Sequence, residues 1–137
     1  MYIKKYNFKN KFRNCSTEYN GQRYDSKLEA NYAYQLDMLK KAKQIKDWDR
    51  QVTIQINFKK IKGEWILTDE TTNELKDKNI ECYHFRNYRI DFVVKHLDGS
   101  LEYVEVKGME LPDWKMKWDL TEMIFDKYKN RRLTLQK

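Results

Sequence analysis

Tyr88–Gly108 reads YRIDFVVKHLDGSLEYVEVKG, two strand-like runs joined near Asp98-Gly99 and closed by E-V-K-G. An acid, Asp91, lies in the first run, and Glu105 and Lys107 lie in the second. Two connections are open. A two-residue Asp98-Gly99 turn pairs Leu97 with Ser100 and Phe92 with Glu105. A three-residue loop, Leu97-Asp98-Gly99, pairs His96 with Ser100, Val93 with Tyr103 and Asp91 with Glu105. Both loop types are common, and the longer one needs a left-handed residue at its end, which Gly99 supplies. Side chains alternate along strands, so a one-residue slip sends one strand's pattern to the wrong face. In the three-residue register Ile90, Phe92, Val94, Val104 and Val106 share one apolar face. Asp91, Val93, Tyr103, Glu105 and Lys107 then share the other. The apolar pattern favours this register, which gathers two carboxylates and a lysine.

The rest of the chain is read outward from this hairpin. At 137 residues it is of single-domain size, with 40% apolar and 15% aromatic residues, four Gly and one Pro. Mean hydropathy is −1.00, so the surface is very polar. There is no internal repeat, no apolar run near the roughly 20 residues of a membrane span, and no apolar signal region at the N-terminus. Cys15 and Cys82 have no metal-binding spacing, and a reducing, cytoplasmic setting without a membrane is expected.

The net charge of +7 is uneven. Residues 1–50 hold 12 Lys and Arg against 6 acids, residues 51–108 hold 9 against 10, and residues 109–137 hold 7 against 5. Lys4, Lys5, Lys9, Lys11 and Arg13 precede the first acid and alternate with Tyr2, Tyr6, Phe8 and Phe12. Such a mixture suits phosphate contacts and base stacking; the plainer reading is a solvated tail with a few packing aromatics. Residues 1–16 are expected to be a basic arm or a short helix, and 17–137 the domain itself.

Within that domain, Asn20-Gly21 predicts a small hairpin over 17–24. Ser26 opens a helix running to about Lys43. Leu28, Tyr32, Ala33, Leu36, Leu39 and Ala42 recur at helical spacing toward a sheet. Ser26 with Glu29 has capping-box spacing. Glu29 is thus a cap, the commoner role, or an acid aimed at the sheet's polar face. Residues 45–57 read as a strand with Gln51 near its start. Residues 59–81 read as an insertion holding a hairpin at 61–67 and a helical turn at 73–78. Residues 82–95 return as a strand. Pro112 opens a helix to about Tyr128. Lys115 and Lys117 lie early in it, close to where the E-V-K strand ends, and Leu133–Leu135 forms a last strand. His84 and His96 have no companions at metal spacing. The resulting order predicts an α/β sandwich around a mixed sheet.

Two carboxylates on adjacent strands with a lysine two residues along suit metal-assisted phosphodiester hydrolysis. Asp91 and Glu105 supply hard oxygens for Mg²⁺, and Lys107 could orient the attacking water or stabilise developing charge. E-x-K alone is far more often a surface ion pair. The order of motifs adds to it: Ser26-Lys27-Leu28-Glu29, then Ile45 and Gln51, then Ile90-Asp91, then Glu105-Val106-Lys107. With these the chain resembles the PD-(D/E)XK nuclease superfamily over about residues 17–137, and within it short phage and prophage nucleases and Holliday-junction-resolvase-like endonucleases. Ile90 stands where the name motif has Pro.

The resemblance implies a three-layer, restriction-endonuclease-like α-β-β-β-α-β core with a preceding small hairpin. It implies a Mg²⁺-dependent DNA endonuclease, with Mn²⁺ able to substitute, catalysed by Glu29, Asp91, Glu105 and Lys107. Asp91, Glu105, Glu29 and the Val106 backbone carbonyl would hold the metal. Lys4, Lys5, Lys9, Lys11, Arg13, Lys115 and Lys117 would contact DNA, branched or junction DNA among the candidates. A phage-encoded protein in a bacterial cytoplasm, acting as a homodimer, fits that picture. The competing readings are an inactive nuclease-fold DNA-binding module and a subunit of a phage replication or packaging complex.

Overall fold

The computed structural model describes residues 2–5, 15–106 and 111–137, with side chains over 16–106 and 111–137. Strand β1 (Tyr2–Lys5) pairs antiparallel with β2 (Cys15–Tyr19), and β2 with β3 (Gln22–Tyr24), in a three-stranded sheet. Asn20 and Gly21 turn the β2–β3 hairpin with φ of 52° and 78°, the left-handed pair that a two-residue turn requires. Tyr2–Lys5 is therefore a strand where an arm or short helix was expected. The free edge of the hairpin recruits its backbone, setting Lys4 opposite Ser16 and Lys5 opposite Cys15.

Helix α1 (Lys27–Lys41) starts at Ser26, whose backbone is extended and whose side-chain oxygen accepts from the Glu29 amide at 3.1 Å. Ala30, Ala33 and Leu36 are its buried residues, while Leu28 and Leu39 are exposed, so the face in contact is narrower than the sequence pattern suggested. The main sheet follows. It consists of β4 (Asp47–Ile61), β5 (Glu64–Thr68), β6 (Cys82–Lys95), β7 (Leu101–Val106) and β8 (Arg131–Gln136) in the order β5-β4-β6-β7-β8. All neighbours are antiparallel except β7 and β8, which helix α3 (Pro112–Phe125) connects in parallel. Residues 59–81 carry the end of β4, the β4–β5 turn at Lys62-Gly63, β5 and a short helix α2 (Thr72–Asp77). The core order is α-β-β-β-α-β in three layers, with α1 and the small sheet on one face and α3 on the other. No described helix is long and apolar enough to cross a membrane.

The β6–β7 hairpin takes the three-residue register. Phe92 lies opposite Val104 and Val93 opposite Tyr103, the His96 amide bonds the Ser100 carbonyl at 2.9 Å, and Gly99 has φ of 89°. Two parts of the expected pattern are corrected. Ile90 does not share a face with Phe92 and Val94, and the acids expected on one face are met from opposite sides, Glu105 by Trp114 of α3 and Asp91 by Glu29 of α1. Phe92, Val94, Val104 and Val106 pack with Tyr24, Ala30, Ala33 and Leu36 toward α1. Tyr88, Ile90 and Val93 pack with Tyr103, Trp114, Trp118 and Phe125 toward α3. The partner strand changes sides at the same level: Trp48 joins the α1 cluster, whereas Val52, Ile54 and Ile56 join the α3 cluster. Between them sits Gln51 at φ of 53°, with Arg50 opposite Phe92 and Val52 opposite Ile90. A left-handed residue inside a strand rotates the following residues to the other face, and alternation predicted straight through it fails.

Gly99 meets no heavy atom within 4 Å where a Cβ would stand, so only its backbone conformation constrains it. Gly99→Ala should cost about 1–2 kcal/mol of stability in urea unfolding, the price of the left-handed conformation for a side-chain-bearing residue. An unchanged midpoint would mean that the loop does not hold the register.

Candidate functional site

Beyond Phe92 and Val104 the β6–β7 ladder stops, and side chains take over its hydrogen bonds. The Asp91 amide donates to Glu105 Oε1 at 3.1 Å, and the Val106 amide donates to Asp91 Oδ2 at 2.8 Å. The two strands fork here, and each acid is fixed by a main-chain N–H of the opposite strand. Glu105 is 2% exposed. A carboxyl group so deep requires donors, and Trp114 of α3 supplies a second, its Nε1 lying 2.8 Å from Oε2 and 2.9 Å from the Tyr88 hydroxyl. Burial, and next the neighbouring Glu105, raise the pKa of Tyr88, which keeps its proton.

Glu29 completes the group from the first turn of α1. Its carboxyl hydrogen-bonds that of Asp91, and its pKa is pushed up to about 8, first by burial and then by the Asp91 charge. It also takes a backbone hydrogen bond from Asp25. The two readings of Glu29 thus coexist. Its main-chain amide serves the Ser26 cap, and its side chain reaches back to the chain before the helix and across to Asp91. Of the three acids expected together from the sequence, Asp91 meets each of the other two, Glu29 through its carboxyl and Glu105 through its amide.

Other expected site residues fare differently. Lys107, Lys9, Lys11 and Arg13 lie outside the described residues, and of Lys4 and Lys5 only the backbone is described. Lys115 pairs with Asp119 at 2.8 Å and Lys117 with Asp113 at 3.4 Å, so each has an acid one turn away on its own helix. The Val106 carbonyl belongs to the last residue of β7, where the strand leaves the fork. Trp114 and Tyr88 were not expected at the site. The sequence places Trp114 among four aromatics of an apolar helix face, and nothing in that pattern marks one indole N–H as the donor to a buried acid.

His84 and His96 are held by Asn57 at 2.6 Å and by Glu102 at 2.8 Å, as structural histidines. Among the described residues no group of three or more His, Cys, Asp and Glu side chains is placed to hold a metal ion. A shallow, largely apolar hollow of about 500 Å³ lies between Phe58, Trp65, Glu81, Cys82 and Tyr83, at the end of the β4–β6 ribbon remote from the acids.

A family model described as "Protein of unknown function (DUF1064)" matches residues 4–136 of the chain. No curated protein and no solved structure matches it.

Two predictions follow from this geometry. In EDTA, Glu29 is protonated in the folded state up to about pH 8 but only to about pH 4.5 when unfolded. The associated stability is present at low pH and is lost as pH rises from about 4.5 to 8. Glu29→Gln, which cannot ionise, should therefore gain melting temperature relative to wild type across that window. Parallel melting curves for the two proteins would contradict the carboxyl pairing. Trp114→Phe keeps an aromatic side chain but replaces the indole by a smaller ring and removes a donor from buried Glu105, and should cost at least about 1–3 kcal/mol in chemical unfolding.

Proposed function

The chain belongs to the DUF1064 family, and we propose that it is a metal-dependent DNA endonuclease of the PD-(D/E)XK kind, hydrolysing phosphodiester bonds with Mg²⁺. The observation that carries the proposal is the fork. It holds Asp91 and Glu105 side by side on adjacent strands, with Glu29 added from the first helix. The element order around it, α-β-β-β-α-β, supports the same reading.

Whether a divalent cation fits is a question of donor chemistry. The group offers oxygen donors only, which suits Mg²⁺, and Mg²⁺ needs just one or two carboxylates beside substrate oxygens and water. Glu29 and Asp91 are crowded enough to share a proton, and a cation would relieve the same crowding. Asp91 and Glu105, with the Val106 carbonyl and Glu29, would hold it once the acids close on the ion, since no three such side chains are grouped for a metal among the described residues as they stand. When bound, Mg²⁺ supplies positive charge to the phosphate and acidifies a water molecule.

The chain's own residues set up the rest. The amides of Asp91 and Val106 and the Trp114 indole lock the carboxylates in orientation, as outer partners of a metal site do. Glu29 is a proton acceptor once its crowding is relieved, and Lys107, next after Val106, would stabilise charge developing on the phosphate. Lys115 and Lys117, at the start of the helix that follows, would contribute to DNA contact, as would the basic residues Lys4, Lys5, Lys9, Lys11 and Arg13.

The competing reading is a nuclease-fold DNA-binding module without activity. In its favour, both Glu105 oxygens already receive N–H donors. Linear, nicked and branched DNA incubated with Mg²⁺ or Mn²⁺ separates the two. Wild type should cut at least one substrate. Asp91→Ala and Glu105→Ala should each lose more than the roughly 10–100-fold that removal of an outer partner costs a metal site. A wild type that binds these DNAs and cuts none selects the inactive module, and alanine variants that cut normally remove Asp91 and Glu105 from the reaction.

A further inference from the structure

Past the fork, β4 and β6 continue together as a ribbon, one face of which is covered by α3 through Ile54, Ile56, Tyr88 and Ile90. On the opposite face Asn87 and Arg89 alternate with buried Tyr88 and Ile90 and are exposed. Thr53 lies directly across from Arg89, and Gln55 across from Asn87. Directly opposed residues project to the same face of a sheet. The strip has limits at both ends. At one end is the Asp91–Glu29 pair, two residues along β6 from Arg89. At the other Gln55 is engaged by the Thr72 amide at the start of α2.

Arg89 is distinctive among the cations of this sheet. Lys59 pairs with Glu70, Lys60 with Glu81, Lys95 with Asp49, Arg131 with Asp69 and Arg132 with Glu102, while Arg50 hydrogen-bonds Gln22 and the Arg23 carbonyl and Arg86 the Phe85 carbonyl. Arg89 has no ion pair or hydrogen bond among the described residues, although it stands only about 6.7 Å of strand from Asp91. Its neighbours Thr53 and Asn87 are uncharged, exposed and likewise free of side-chain partners among the described residues. An uncommitted guanidinium beside small hydroxyl and amide groups has the chemistry that grips a phosphodiester backbone without reading bases.

We propose that the strip of Thr53, Asn87 and Arg89 is the track for the DNA strand next to the cleaved phosphate, with Arg89 holding a phosphate beside the one at Asp91. The proposal rests on the endonuclease reading for its substrate. It assigns Arg89 a positioning role through binding and gives it no part in the bond-breaking step.

The test uses the full chain in EDTA, with a labelled DNA duplex and its single strand, followed by anisotropy from about 50 to about 200 mM salt. Arg89→Ala should weaken binding roughly tenfold at the lower salt. It should also flatten the dependence of log affinity on log salt by about 1, the signature of one lost phosphate contact. Arg89→Lys should restore most of the slope. Lys41→Ala, at the far end of α1, removes the same charge and should leave the slope unchanged. With metal added, Arg89→Ala should raise KM and leave kcat at saturating DNA unchanged. Arg89→Ala with the affinity and slope of Lys41→Ala, while its melting temperature matches wild type, overturns the track. A wild type that binds but does not cut overturns the endonuclease reading alone, because the salt slope still decides the role of Arg89. A wild type that binds neither DNA overturns both.

Discussion

The exchange of main-chain for side-chain hydrogen bonds at Asp91, Glu105 and Val106 is the constraint on which this structure turns. A hairpin whose ladder ran to its end would satisfy its amides strand to strand and leave acids at the surface, free to move apart. Here the ladder ends at Phe92 and Val104, and the next two amides are satisfied by carboxyl oxygens. An unmet buried N–H and an unmet buried carboxyl group each cost on the order of 1–3 kcal/mol, so each of these bonds removes two penalties at once. The acids are therefore held by the same bonds that let the strands separate. Trp114 ties the arrangement to α3, since Glu105 is too deep to be served by water.

The second device is the change of face at Gln51 and Asp91. A sheet with helices on both sides usually needs apolar residues on both faces of each central strand, and such strands read as continuous apolar runs. β4 presents an apolar face to α1 before Gln51 and the other to α3 after it. β6, running the opposite way, faces α3 up to Ile90 and turns Phe92 and Val94 to α1, with both faces apolar only where Val93 is added. Along Thr53, Asn87 and Arg89 the face away from α3 is left to polar residues. That is why Arg89 and Thr53 are exposed on a central part of the sheet, close to half-buried Asp91. The left-handed Gln51 is unfavourable for a residue with a side chain, and it persists because two separate cores fix the chain on either side of it.

How much of this the sequence disclosed follows from the range of the interactions. The hairpin register was legible because alternation and Gly99 agree on it, and the helix starts were legible because Ser26 and Pro112 act within one turn. Glu105 and Glu29 could each be placed beside Asp91 through the resemblance and the order of elements. The side switch was hidden, because Gln51 has no local reason to be left-handed; it is imposed by two clusters far apart in sequence. Trp114 was hidden for a related reason: periodicity reports that an indole is buried and says nothing about where its N–H points. The strand at Tyr2–Lys5 exists through pairing with residues beyond the stretch between them, a non-local contact that a basic, aromatic-rich segment does not announce.

Glu29 shows how stability and function can be set against one another by one residue. As a member of the helix start it contributes an amide to Ser26, which favours folding. Its carboxyl group, drawn to Asp91 and half-buried, holds its proton to about pH 8, so ionising it at neutral pH opposes folding. A purely structural cap would do better with its side chain in solvent, where it would be ionised and would favour the positive end of the helix. The crowding of two acids is unfavourable to the isolated chain and becomes favourable only when positive charge arrives between them. Under the proposed endonuclease reading Glu29 is the acid whose crowding a cation would relieve: Asp91 and Glu105 already receive N–H donors, whereas the Glu29 carboxyl faces the Asp91 charge.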